Sequence, residues 1–567
     1  AGYLTFVPGM LIVAQLLTRR RLPHVAMRAY LGLAAALISA VFCLDIVLYG
    51  YWGFRLDTTP LFYFTTSPSA AMASAPWWQT LCGAVGFLGV GVGVWWVFNV
   101  TVGRVRVEPC RSWRGPTVVA FMTLLLVLPI RGSLTVSTMN PSRAYFSQRR
   151  QLNHAATNPA FNLLYSATHQ ADFSERYRFF SPGQARRLFE QAMVAPLDAD
   201  TVSDAGPVRL RHPRPDVYII VLESFSAHLM PSMGGEPVAL GLDSIARQGV
   251  LFTRFYASSF RTDRALPAIF SGLPAQPSTS ILKYIDKIER LPSIPRLMKD
   301  QAGYQTAYYY GGDTNFTNMQ AYLMSMGIDR VVSDHDFALG ERASKWGAPD
   351  HLLFQKALAD IVGRQPGSAS TPWLTMIQTS SSHEPFEVPY DNPRFAGNPQ
   401  ANAFAYTDSC LMAFVDGLKA AGKWDNALLL ITPDHYGCWP QGLDTMPARH
   451  HIPLVLAGGA LETMAPGRIA TVGTQVDIAA TLSGLLGLDA TQFKFSRDLL
   501  AAGGVASAAV FSEPGAVALV APDGYVEIDP EANAVTTAGG LAPDRAGHYA
   551  DIARAWLQTL YEYIDSL

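Results

Sequence analysis

Cysteine is scarce in this chain, with five among 567 residues. None of Cys43, Cys82, Cys110, Cys410 and Cys438 forms a CxxC pair or a Cys/His pair at zinc-finger spacing, which excludes both a disulfide scaffold and a structural zinc ribbon. Cys410 and Cys438 are read as buried free thiols, or as a pair if their domain faces an oxidising compartment. Excess charge of one sign is also lacking. The formal net charge is -2 at pH 7 and no basic stripe is present, so a nucleic-acid partner is disfavoured.

What the chain does have is apolar sequence, unevenly spread. Runs at about 2–17, 29–52, 79–100 and 116–131 crowd the first 133 residues, and the remainder has the mixed composition of a globular protein. The middle two runs are long enough for the roughly 20 residues of helix that cross a ~30 Å hydrocarbon layer. Arginine marks the orientation. Arg19, Arg20, Arg21 and Arg28 follow the first run and Arg104, Arg106, Arg111 and Arg114 follow the third. The link after the second has Arg55 alone, near Tyr49, Tyr51, Trp52, Trp77 and Trp78. The positive-inside rule makes the arginine-rich links cytoplasmic, so everything from about residue 134 is expected outside. The first run then travels inward, which implies at least one earlier spanning helix before residue 1. Asp45, inside the second run, is expected to face protein and to have a structural partner.

The expected organisation is a transmembrane helical bundle over 1–133, a juxtamembrane segment over 134–213 and a catalytic domain over 214–567. The middle segment carries Arg149, Arg150, Arg176, Arg178, Arg186 and Arg187 between apolar patches, which suits short amphipathic helices at a membrane surface or a solvated linker. From Asp216 onward apolar strands alternate with helical stretches, predicting an α/β domain with a mostly parallel central sheet, closed by a few strands and a helix near 544–566.

The strand ends carry the chemistry. Val217 to Leu222 runs into Glu223, Leu428 to Thr432 runs into Asp434 and His435, and Trp373 to Ile377 runs into Gln378 and then His383. Functional groups in open α/β sheets gather beyond the carboxyl ends of strands, so these residues are expected to converge. Two carboxylates and an imidazole suit one divalent ion: manganese, zinc or magnesium. Thr262 precedes a helix predicted from near Asp263. It reads as an ordinary N-cap or, beside a metal, as an activated nucleophile.

Taken together, Val221-Leu-Glu-Ser224, Phe260-Arg-Thr-Asp-Arg264, Ser381-Ser-His-Glu-Pro-Phe386, Pro433-Asp-His-Tyr-Gly437 and Gln475-Val-Asp-Ile-Ala-Ala-Thr-Leu482 resemble the lipoteichoic acid synthase family, within the alkaline-phosphatase and sulfatase superfamily. The resemblance implies an N-terminal transmembrane helical bundle followed by an exported alkaline-phosphatase-like α/β domain in the bacterial cytoplasmic membrane. It implies Glu223, Thr262, Asp434 and His435 as ligands of one metal ion, Mn2+ first, with Thr262 also the nucleophile and His383 facing the head group. The implied reaction moves phosphoglycerol from phosphatidylglycerol, through a phosphothreonine, to a glycan or lipid hydroxyl. The Cys/Ser-x-Pro-x-Arg signature of sulfate-ester hydrolases is absent around Thr262, where Pro267 is misplaced for it.

The chain departs from that family at Tyr310-Gly-Gly-Asp-Thr-Asn-Phe-Thr-Asn-Met319, where Tyr310 stands for a histidine and Thr317 and Met319 for the tryptophan and arginine of a Trp-Asn-Arg run. Losing the arginine removes a bidentate phosphate clamp. Asp313, Asn315 and Asn318 are candidates for binding hydroxyls or an amine, or for closing a turn. Arg261 is a candidate for charge stabilisation and Arg264, Trp346 and His451 for substrate contact. Phosphoethanolamine transfer, phosphodiester hydrolysis and a non-catalytic membrane sensor stand as alternatives. The cysteine-rich pattern usual in phosphoethanolamine transferases is missing.

Overall fold

The computed structural model describes residues 2–18, 22–52, 55–58, 77–104, 107–110, 112–134, 137–169, 173, 176–194, 208–364, 371–437, 439–462, 467–501 and 508–567. Arg19, Arg20, Arg21, Arg106, Arg111 and Cys438 lie outside the described residues, as do the side chains of Tyr51, Trp52 and Trp77. The chain divides into two compact units, Ala1–Gln170 and Ala171–Leu567.

The first unit is helical: α1 (Gly2–Leu17), α2 (Leu22–Trp52), α3 (Trp77–Phe98, continued by a π-helical turn), α4 (Arg114–Leu125) and α5 (Val127–Arg131). Three stretches, Pro23–Gly50, Leu81–Gly103 and Arg114–Arg131, are long and apolar enough to cross a membrane. Even the last, at 18 residues, rises about 27 Å. Leu33, Ile46, Leu88 and Val92 point outward, an apolar coat that suits hydrocarbon better than water.

Asp45 on α2 is buried, 2% exposed, and partnered. Its carboxylate accepts from Arg55 Nη1 and from the Leu56 amide at 2.9 Å. Arg55 Nε also donates to the His154 carbonyl at 2.5 Å, and Asn162 Nδ2 donates to the Leu56 carbonyl at 3.1 Å. His154 and Asn162 stand on α6 (Arg150–Ala156) and α7 (Pro159–Thr168), the latter capped by Asn158. Part of the segment 134–213 thus packs in the first unit. A further helix of that segment, α8 (Pro182–Val194), belongs to the second, where Phe189 meets Trp556 at 5.0 Å.

In the second unit a nine-stranded sheet is built from β1 (Asp216–Leu222), β2 (Val250–Tyr256), β3 (Gln305–Tyr310), β4 (Arg330–Val332), β5 (Trp373–Gln378), β6 (Ala427–Pro433), β7 (His451–Ala457), β8 (Gly467–Ile469) and β9 (Gly473–Thr474). Its order is β8-β2-β7-β6-β1-β5-β3-β4, with β9 also on β2, and every pairing is parallel except those of β7. The central strands are buried on both faces, which is why they read as unbroken apolar runs rather than alternating ones. Helices of this unit include α9 (Leu240–Gln248), α10 (Thr262–Ser271), α11 (Asp350–Gly363), α12 (Pro399–Ala420) and α13 (Met446–His450).

The C-terminal stretch forms a four-stranded antiparallel sheet, β10 (Ala509–Glu513), β11 (Ala516–Ala521), β12 (Gly524–Asp529) and β13 (Ala534–Gly539), closed by α14 (Pro543–Ser566). Strand β10 meets the loop after β2, where the Ser512 amide donates to Ser258 O at 3.0 Å and Ser259 Oγ donates to Ser512 O at 2.7 Å.

Candidate active site

Register brings the strand ends level. Leu222 of β1 pairs with Pro433 of β6, and Val221 with Gln378 of β5, which also pairs with Tyr310 of β3. The next residues therefore emerge side by side, and Glu223, Asp434 and His435, all buried, place one ligand atom each within 4.8 Å of one another. A tight turn delivers Glu223. Ser224 adopts φ +64°, its amide donates to Asp434 Oδ1 at 2.8 Å and its hydroxyl to Glu223 Oε1 at 2.8 Å.

Thr262 opens α10, but Arg261 occupies the N-cap position, so the capping reading of Thr262 gives way. Its hydroxyl donates instead to Asp434 Oδ2 at 2.7 Å and lies 3.4 Å from His435 Nε2. Gln475 ties the two loops together. Its Nε2 donates to the Pro433 and Asp434 carbonyls at 2.8 and 2.7 Å while its Oε1 accepts from the Ser258 amide at 2.9 Å.

Glu223, Thr262 and His435 line a cleft of about 280 Å3 whose walls also include Arg261, Tyr310, Phe316, Thr317, Trp346 and His383. Trp346 donates from Nε1 to the Glu384 carbonyl at 2.7 Å, and its ring lies 4.1 Å from that of His383 and 5.7 Å from that of Phe316. His383 Nδ1 lies 3.0 Å from the Glu384 carbonyl, an acceptor only, so that nitrogen carries the proton and Nε2 keeps its lone pair. Burial pushes the His383 pKa down, which favours the neutral imidazole.

Other candidate residues are engaged away from the metal-ligand cluster. Arg264 donates to the Gln276 carbonyl at 3.1 Å and covers the Phe260 ring at 5.1 Å, so its guanidinium serves packing outside the cleft wall. Asp313 Oδ1 accepts from the Asn315 amide at 2.9 Å and its side chain at 3.0 Å, closing a turn. Asn318, 1% exposed with φ +63°, donates to the Leu282 carbonyl at 2.8 Å. All three shape the turn, while Phe316, Thr317 and Met319 line the cleft. His451 points away from the cluster; its Nε2 meets the Thr253 carbonyl at 2.8 Å and its ring lies near Tyr256 and His228.

Two supports escaped sequence reasoning. Buried Asp350 accepts from the Ser380 amide at 2.9 Å and from Thr407 Oγ1 at 2.6 Å, and its own amide donates to Ser381 Oγ at 2.9 Å, fixing the loop that carries His383. At the start of α11 it reads as a helix cap. Gln475 begins the Gln-Val-Asp-Ile motif, but nothing local signals a side chain that reaches two distant loops.

A divalent ion fits this donor set. Burial first, and then the Asp434 charge, push the Glu223 pKa well above the usual carboxylate range. Among the described residues no lysine or arginine pairs with Glu223 or Asp434. The cluster thus brings two carboxylates together with no lysine or arginine to offset them, beside oxygen and nitrogen donors that divalent metals accept.

Residues 215–488 match the sulfatase family. Among curated proteins, a lipoteichoic acid synthase-like protein of Bacillus subtilis is 21% identical over 310 residues, covering 50% of this chain and 49% of that protein. The lipoteichoic acid synthase of Staphylococcus saprophyticus is 26% identical over 317 residues, covering 50% and 47%. The chain spans about half the length of the curated relatives it matches. Among solved structures, an alkaline phosphatase superfamily protein from Vibrio parahaemolyticus superposes with a TM-score of 0.60 at 24% identity, over 70% of this chain and 98% of that one. The lipoteichoic acid synthase LtaP from Listeria monocytogenes gives 0.54 at 20% identity, over 68% and 98%. Residues 215–488 thus match the sulfatase family model, the second unit shares the fold of these two solved structures, and lipoteichoic acid synthases are among the proteins the chain is similar to.

Proposed function

We propose that this chain is a multi-pass protein of the bacterial cytoplasmic membrane whose second unit, on the periplasmic or exterior side, is a phosphotransferase. It moves a phospholipid head group, phosphoglycerol from phosphatidylglycerol first, through Thr262 to a glycan or lipid hydroxyl. The observation that carries this reading is the Thr262 hydroxyl at the N-terminus of α10, 2.7 Å from Asp434 and beside Glu223 and His435. The names of the relatives supply the substrate class.

Glu223, Asp434, His435 and Thr262 Oγ1 would hold one divalent ion, Mn2+ before Zn2+ or Mg2+, which when bound supplies Lewis-acid charge that lowers the hydroxyl pKa of Thr262. Thr262 gives its proton to Asp434 Oδ2 and its oxygen bonds to phosphorus. The bond from phosphorus to the diacylglycerol oxygen breaks, and that oxygen leaves with a proton from solvent. A phosphothreonine diester remains. Neutral His383 then takes the proton of the acceptor hydroxyl through Nε2 as its oxygen attacks phosphorus, and Thr262 leaves and recovers its proton. Arg261, half exposed at the cleft wall, offsets charge on the non-bridging oxygens.

Intact mass spectrometry after incubation with Mn2+ and phosphatidylglycerol is expected to show a phosphoglycerol adduct on Thr262 that is missing in Thr262→Ala. Phosphatidylethanolamine is the control donor. Asp313, the residue expected to pair with an ammonium group, is not among the residues lining the cleft. If neither lipid yields an adduct or diacylglycerol, head-group transfer is refuted.

A further inference from the structure

Between α11 and α12 lies a second cleft, of about 370 Å3, that the phosphotransfer chemistry does not use. Its walls include His351, Phe354 and Gln355 from α11, Tyr406 and Phe414 from α12, and Tyr390 from the loop after His383. No Asp, Glu, Lys or Arg is among the described residues lining it. The catalytic cleft, by contrast, is lined by Glu223, Arg261 and Asp263. Ligand charge therefore has nothing to meet in the second cleft. A phosphate or an ammonium entering it would lose hydration without an opposite partner.

What the walls offer is aromatic surface with a few polar atoms of fixed role. The Tyr390 and Tyr406 rings stand 5.7 Å apart at 45°. The Tyr406 hydroxyl accepts from the His351 amide at 3.2 Å and lies 2.5 Å from His351 Nδ1. That contact fixes the His351 ring beside the Tyr406 hydroxyl and leaves Nε2 as the ring's second polar atom. Tyr390 Oη accepts from Asn392 Nδ2 at 3.0 Å, which leaves its O–H to donate. The Gln355 side chain is exposed at the edge and adds a donor and an acceptor. Uncharged donors around aromatic faces suit a neutral, hydroxyl-rich ring with apolar C–H faces.

The position of the cleft links it to the reaction. One loop serves both clefts, with His383 facing the catalytic one and Tyr390 facing this one. Asp350, next to His351, fixes the Ser380 end of that loop.

We propose that this cleft binds a hexose ring of the acceptor, either the head of a glycolipid or the end of a free glycan. The proposal rests on the transferase reading of the Thr262 cleft for its role, although binding is measurable without it.

The test is hydrogen exchange by mass spectrometry on the full chain in nanodiscs. One arm adds free maltose, a second uses nanodiscs containing a dihexosyl diacylglycerol, and a third adds glycerol 1-phosphate as a charged probe. The expected result is slowed exchange in 351–358, 386–392 and 406–414 with the glycolipid or with both sugars. Protection by the glycolipid alone would name the membrane as the source. The same protection should appear in Thr262→Ala and vanish in Gln355→Trp, which fills the cleft from an exposed helix position. Gln355→Trp should also raise the KM for a disaccharide acceptor at least about tenfold while leaving Thr262 adduct formation within about twofold. No protection by either sugar would overturn the proposal. So would protection confined to 258–266 and 378–383, equal protection in Gln355→Trp, or equal protection by glycerol 1-phosphate. Failure of the Thr262 adduct in the unaltered chain would instead refute the transferase reading.

Discussion

Glu223 sits where a carboxylate is hard to keep ionised, at 4% exposure beside Asp434, so a proton or a bound cation must offset its charge. Because its pKa is raised in the folded state, the folded chain binds a proton that the unfolded chain releases. The stability of chelator-treated protein should therefore fall as pH rises through the ordinary glutamate range towards the raised value, and added Mn2+ should reverse that trend in thermal melts. Glu223→Gln should flatten the pH trend and weaken Mn2+ binding by at least ~100-fold in calorimetry. At His383, a lowered pKa keeps the base form down to more acid pH, so the acid limb of kcat should fall below the usual histidine range. His383→Ala should slow adduct breakdown by ~10²–10⁴ while sparing adduct formation, so that the phosphothreonine accumulates. Glu223, Asp434 and His435 were legible because each stands within two residues of the end of an apolar strand. The fates of Asp313, Asn318 and His451 were not, because a polar residue near a strand end carries no sign of which way its side chain turns.

The turns and ties between elements are what hold these residues in place. Gly437 sits against Ser224, and a Cβ added to it would come within 2.4 Å of the Ser224 Cβ. Gly437→Ala should force the Ser224 turn to shift and reduce Mn2+ affinity and adduct yield together, with the far-UV circular dichroism unchanged. A second tie runs from β10 to the nucleophile loop. Buried His450 has Nδ1 2.9 Å from the Ala257 carbonyl and Nε2 3.2 Å from Glu513 Oε1, and Arg449 holds Glu513 through two bonds of 2.9 Å. Burial alone would raise the Glu513 pKa, but the bonds from His450 and Arg449 outweigh it and take it down to about 2. A depressed pKa stabilises the fold above the unfolded value and loses that contribution as pH falls towards the folded one. Glu513→Gln should lower the melting temperature at neutral pH, with the difference from the unaltered chain closing between about pH 4.5 and about pH 2. The strands were readable from their apolar runs. This tie was not, because it joins residues far apart in sequence whose local patterns are those of any strand and helix end.

Across the whole molecule, three helices long and apolar enough to cross a membrane precede a unit that matches the sulfatase family model. Cysteine-accessibility mapping with a membrane-impermeant maleimide should label a cysteine placed at exposed Val535 in intact cells, and one placed at exposed Trp113 only after permeabilisation. The reverse pattern would overturn the orientation read from arginine. That unevenness of composition made the two-part plan legible. The extent of each part was less so, because 134–213 mixes short helices whose allegiance depends on distant partners: α7 is tied to Leu56 and α8 meets α14.

The knot at Asp45 bears on how the first unit is made. A lone carboxylate in a spanning helix raises the insertion free energy by about 2.5–3.5 kcal/mol, and its compensating groups arrive later in the chain. Arg55 follows ten residues on, and the His154 carbonyl that braces Arg55 is synthesised only after the last span. Helix α2 therefore enters the bilayer as a provisional tenant, and its lodging becomes permanent only once α6 and α7 have folded back to it. A ribosome halted before residue 150 should leave α2 more easily extracted by alkaline carbonate than a full-length chain does, and Asp45→Leu should abolish the difference.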